Sequence, residues 1–171
     1  MASARLIRVR VKKKRQLHPK RYTLIDEMMA SPIEPLPKAW RVGQLTKMYD
    51  ALHQLEQAPK ATPNDWRLVS DAVNLVETLV VEMKVCEDDS GLLMDAITAL
   101  AMAGRRSKNG KSLRLDGEGI QAVRSILSDY AYLIDVLPAR VMIRCHRLTE
   151  KRLHEILDGK KLPHDVEIMD Y

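Results

Sequence analysis

The sequence predicts an all-α fold, a single-domain array of about five helices behind a basic, extended N-terminal arm. Three observations predict it. Between residues 40 and 158, large apolar side chains recur three and four positions apart, the period of helices with one buried face. Helix-start signals precede those stripes, with Thr62-Pro63 and Asp65 before one and Asp116 before another. The chain has 171 residues, 46% of them hydrophobic, enough for one core without disulfides or metals. With no Phe, two Trp and five Tyr, that core is aliphatic and methionine-based.

Four segments follow in order: a basic arm at 1–25, a Pro-rich connector at 26–39, a helical domain at 40–158 and an acidic tail at 159–171. The arm holds Arg5, Arg8, Arg10, Lys12, Lys13, Lys14, Arg15, Lys20 and Arg21, and no Asp or Glu. Subtracting these nine from the chain's net charge of +5 leaves −4 for the rest, so the basicity belongs to the arm. Within it Ile7, Val9 and Val11 alternate with Arg8, Arg10 and Lys12, the period of a half-buried strand. In the tail Val166 and Ile168 alternate with Asp165 and Glu167, so the two termini offer each other a short strand pair of opposite charge. Pro32, Pro35 and Pro37 make the connector extended.

The first helix is expected from about Trp40 to Gln57, with Leu45, Met48, Leu52 and Leu55 inward and Pro59 ending it. The second spans about 63–86 on the stripe Trp66, Val69, Val73, Val76, Val80 and Met83, widened by Leu68, Leu75 and Leu79, which suits a central helix. Ser90 is the expected cap of a third carrying Leu93, Ile97 and Leu100, with Gly104 as its terminator and a basic loop after it. Asp116 caps a fourth with Ile120, Val123, Leu127, Tyr130 and Ile134 inward. Pro138 opens a fifth that Gly159 closes.

Catalytic chemistry finds little support. The stretch from Gly104 to Ser112 ends in Gly-Lys-Ser like a phosphate-binding loop, but it has five residues between its glycines where four are required, and a helix precedes it. Glu150, His154 and Asp158 share one helix face, which suits surface charge pairs better than a metal, because no second ligand cluster accompanies them. Cys86 and Cys145 lack metal or nucleophile spacing and read as buried thiols of a reducing cytoplasm. Trp40, Tyr49 and Trp66 fall at core or core-edge positions, and so few aromatics disfavour a platform for unpaired bases. No catalytic residue, metal or cofactor is expected. No apolar run approaches the length of a membrane span or signal region, which points to the cytoplasm and away from a membrane.

Cationic clusters carry the functional expectation. Arg140, Arg144, Arg147 and Lys151 fall within about 60° of one another on the fifth helix, a ridge opposite Met142, Cys145 and Ile156. Arg105, Arg106, Lys108, Lys111 and Arg114 gather in the loop. With the arm, these suit either nucleic-acid phosphates or an acidic protein surface. The first expectation is therefore a non-enzymatic nucleic-acid-binding protein. The rival is a protein-interaction factor, an assembly component or an inhibitor of a host complex, whose arm docks on a partner.

Over residues 40 to 135 the order of features resembles short, uncharacterised proteins encoded by temperate phages and plasmids of proteobacteria. The likeness rests on Ala61-Thr62-Pro63-Asn64-Asp65-Trp66, on Asn74 with Glu77, on Asp95-Ala96 with Ala99-Leu100, and on Leu115-Asp116-Gly117-Glu118. It implies an origin in a mobile genetic element and assigns neither activity nor site residues.

Overall fold

The structure, a computed structural model, describes residues 21–57 and 61–157. It is an all-α bundle of six helices: α1 (Leu24–Met29), α2 (Lys38–Glu56), α3 (Pro63–Glu77), α4 (Leu93–Lys108), α5 (Gly117–Val136) and α6 (Ala139–Leu157). Among the described residues there is no strand; the expected terminal strand pair lies outside them.

Helix α3 is central, packing against α2, α4, α5 and α6. Its wide stripe explains this position: Val69, Ala72, Val73, Leu75 and Val76 are all buried, so the helix can meet neighbours on several sides. Its start is as expected, a capping box in which Thr62 Oγ1 accepts from Asp65 N while Asp65 accepts from Thr62 N at 2.8 Å. Helix α4 lies on α3 and α5, and α5 begins at Asp116, whose carboxylate accepts from Gly119 N at 2.6 Å. Gly119 is needed there for space, because a Cβ would stand 2.6 Å from the Cβ of Ala99 on α4.

Three expected boundaries move. The second expected helix does not continue to 86: α3 ends at Glu77, a π-helical turn occupies Thr78–Glu82, and Lys84 takes a left-handed φ of 52°. The buried Thr78 hydroxyl fixes this turn by bonding Asn74 O at 3.0 Å and the Thr149 hydroxyl of α6 at 2.7 Å. Ser90 is not the cap of α4. Its hydroxyl accepts from Leu92 N, the helix starts at Leu93, and Asp88 takes the Leu93 N–H at 3.1 Å. Nor does Gly104 end α4. It is buried within the helix, which runs on to Lys108. Gly110 terminates it with φ 72°, while Gly110 N donates to Ser107 O and Lys111 N to Arg106 O, a Schellman closure.

The largest departure is at the N-terminus. The connector expected at 26–39 contains most of α1, so the helical domain begins before residue 40. A Thr23–Asp26 capping box starts α1: Asp26 accepts from Thr23 N at 2.6 Å, which holds its carboxyl below the usual carboxylate range. The chain then crosses the start of α6, where Ser31 O and Glu34 O accept from Arg140 N and Ala139 N at 3.0 and 2.8 Å. These carbonyls satisfy two of the N–H groups that every helix start leaves without an internal partner.

Candidate functional site

Helix α6 presents the expected ridge, and α1 lies across it. Of the four ridge cations, two are engaged by this segment. Arg140 donates from Nε and Nη2 to the carbonyls of Met28 and Ala30 at 3.1–3.3 Å, and Arg147 pairs with Glu27. Arg144 is exposed, and Lys151 is an exposed side chain 4.0 Å from Glu155. The ridge is therefore not the continuous outward cationic face expected from periodicity. A helical wheel shows which residues share a face and is silent on what covers it.

The arm's last cation, Arg21, anchors the segment's other end. Its backbone N–H donates to Glu150 Oε1 at 3.0 Å, and its guanidinium stands 5.9 Å from the Trp40 ring centroid. Beneath it Tyr22 and Trp40 contact the buried His146, ring centroids 5.4 and 6.1 Å away. Burial, aided by the Arg21 charge, lowers the His146 pKa to about 3, so the imidazole is neutral. Its Nε2 has no hydrogen-bond partner. Arg5 to Lys20 lie outside the described residues.

The loop cluster takes a different form from that expected. Arg105, Arg106 and Lys108 belong to the last turn of α4, where cations complement the helix dipole. Arg106 bonds Arg114 O, closing the 109–116 connection back on the helix. Lys111 and Ser112 line two open clefts of about 470 and 320 Å³. One cleft touches Pro63 at the start of α3, whereas Cys145 and Arg152 of α6 bond Leu75 O and Glu77 near its end. The loop cluster thus lies by the start of α3, whereas α6, which carries the ridge, bonds residues near its end.

Comparison with known protein families, with curated proteins and with solved structures finds no match for this chain.

Among the described residues no group of three or more His, Cys, Asp or Glu is arranged to hold a metal, and no helix is long and apolar enough to cross a membrane. Of Glu150, His154 and Asp158, expected to make surface charge pairs, Glu150 accepts from the Arg21 backbone N–H, and Asp158 lies outside the described residues. Cys145 is buried with its thiol on Leu75 O, and burial pushes its pKa up to about 12, a protonated and unreactive state; Cys86 is half-buried and also raised by burial. Trp66 is half-buried and donates to Leu100 O at 2.9 Å, while Tyr49 is exposed and not the core-edge residue expected.

The outward side of α1 is a feature that no apolar stripe in the sequence marks. Leu24, Ile25, Met28 and Met29 are 55%, 70%, 66% and 82% exposed, and Ile33 beyond the helix is 79% exposed. Their spacing of one, three and one places the first four on one helical side, and α1 buries none of its own residues. The Thr23-x-x-Asp26 cap was the available signal.

Proposed function

We propose that this protein is a non-enzymatic interaction factor whose N-terminal end docks on a protein partner. The observation that carries this reading is the outward apolar side of α1, because a helix of a monomer ordinarily turns that side to its own core. Charge defines the partner further. Eight Lys or Arg precede α1 in residues 1–20, whereas residues 21–57 and 61–157 hold 17 Lys or Arg against 19 Asp or Glu. An apolar groove with an acidic rim suits a helix followed backwards into such an arm. The resemblance to proteins of phages and plasmids agrees with a small cytoplasmic factor that engages a host complex.

Photo-crosslinking from position 29 in cells tests this. One principal cross-linked polypeptide is expected, lost with Ile25→Asp and retained with a photoreactive residue at 29 alone. Cross-linking at 29 no stronger than at the exposed Tyr132 would overturn it. Nucleic-acid binding through the arm is the second reading, favoured by the concentration of eight cations within twenty residues. Nucleic acid that co-purifies at low salt and is lost when residues 1–20 are removed would support it.

A further inference from the structure

We propose that α1 is a displaceable cover over two arginines, Arg140 and Arg147, of a polyanion-binding face of α6. The inference is independent of which protein α1 meets. The helix buries none of its residues, and its contacts with α6 run through Arg140 to the Met28 and Ala30 carbonyls and through Arg147 to Glu27. The Arg140 contacts are exposed and contribute little to stability, the Arg147–Glu27 pair is partly buried, and α1 adds no buried side chain of its own, so it belongs to the lower part of the local-opening scale. Its flanks are held better: Tyr22 packs on His146 at one end, while Ser31 and Glu34 cap α6 and Leu36 is buried at the other. A weak middle between two anchors can swing away and return to its place.

The acceptors that α1 supplies identify what would replace it. Arg140 holds two carbonyl oxygens and Arg147 a carboxylate, oxygen acceptors of the kind that a phosphate also offers to a guanidinium. The cover is also acidic: from Arg21 to Pro37 one Arg stands against Asp26, Glu27 and Glu34. Arg140 and Arg147, which bond the α1 segment, stand in one row with the exposed Arg144 and Lys151, a face that runs eleven residues, about 16 Å of helix. Once uncovered, that row matches a run of backbone phosphates and carries no group for reading bases. The site is therefore one for nucleic-acid backbone, occupied in this state by the chain's own acidic segment.

Met28→Pro in the full-length protein tests the cover without changing any charge, because proline breaks the helix and removes its N–H. Binding to a short duplex DNA is measured by fluorescence anisotropy from 50 to 200 mM salt, and helix content confirms the fold. Freeing two guanidiniums adds two phosphate contacts, so the log-log salt slope should steepen by about 1.8. Binding should be tighter at 50 mM, and the advantage should shrink about tenfold by 200 mM. In an Arg140→Ala/Arg147→Ala background, Met28→Pro should change neither quantity. Thr23→Ala, which removes the cap, should act in the same direction more weakly. The proposal is overturned if folded Met28→Pro protein keeps the parent affinity and slope, or if its gain survives loss of both arginines. Failure of Met28→Pro to fold would also overturn it, since a displaceable cover cannot be essential to the core.

Discussion

Two residues show how burial converts a side chain into a measurable constraint. His146 lies under Tyr22 and Trp40, and its pKa is lowered from 6.5 to about 3. Between those values the unfolded chain binds a proton that the folded chain refuses, so its contribution to stability is fully present above pH 6.5 and is lost as pH falls towards 3. The slope approaches about 1.4 kcal/mol per pH unit in that window. His146→Leu should flatten the acid limb of a chemical-denaturation series between pH 6 and 4; an unchanged limb would show that other groups set it. Gly119 acts through space. Because its missing Cβ would lie 2.6 Å from Ala99 Cβ and 2.7 Å from the capping Asp116 Oδ1, Gly119→Ala must part α4 from α5 or break the cap. A loss of about 1–3 kcal/mol is expected, and thermal stability equal to the parent's would mean the two helices slide apart freely.

At the scale of elements, what was legible in the sequence depended on how much apolar surface an element buries. The bodies of α2 to α6 were legible, since Leu52, Val73, Leu100, Leu127 and Met142 are core residues at helical spacing. The π-helical turn was not, because the stripe through Val76, Val80 and Met83 continues past the break, and one extra residue per turn barely alters it. The end of α4 offered two glycines, and burial of Gly104 against left-handed φ at Gly110 decides between them only in three dimensions. Helix α1 escaped because it is six residues long and buries none of them, so no core stripe marked it. That difference is testable by placing a carboxylate on each kind of face. Ile25→Asp, on the exposed side of α1, should leave stability within about 0.5 kcal/mol, whereas Val76→Asp should cost several kcal/mol, since an unpaired charge enters the core. Comparable losses in urea denaturation would mean that α1 packs more tightly than its surface contacts indicate.

At the scale of the whole molecule, charge and core are separated along the chain. The candidate cations were nameable from sequence, but their roles were not: Arg140 and Arg147 hold α1, Arg105 and Lys108 serve a helix end, and the loop and ridge stand at opposite ends of α3. Such roles depend on which element packs over a face, a long-range matter that local periodicity does not encode. The arm remains the densest charge, with eight Lys or Arg in residues 1–20. The described contacts of the bundle begin at Arg21, whose N–H meets Glu150. Residues 1–20 carry no apolar stripe of helical period, so removing them should leave the unfolding midpoint in urea unchanged. It also takes the net charge from +5 to −3, so attraction to any polyanion must weaken throughout the salt range. For each phosphate that the arm neutralises, the log-log salt slope on duplex DNA changes by about 0.9, and three lost contacts would make it shallower by about 2.7. A truncated protein with the full-length slope would show that the arm makes no phosphate contacts, leaving its cations to the acidic rim of a protein partner.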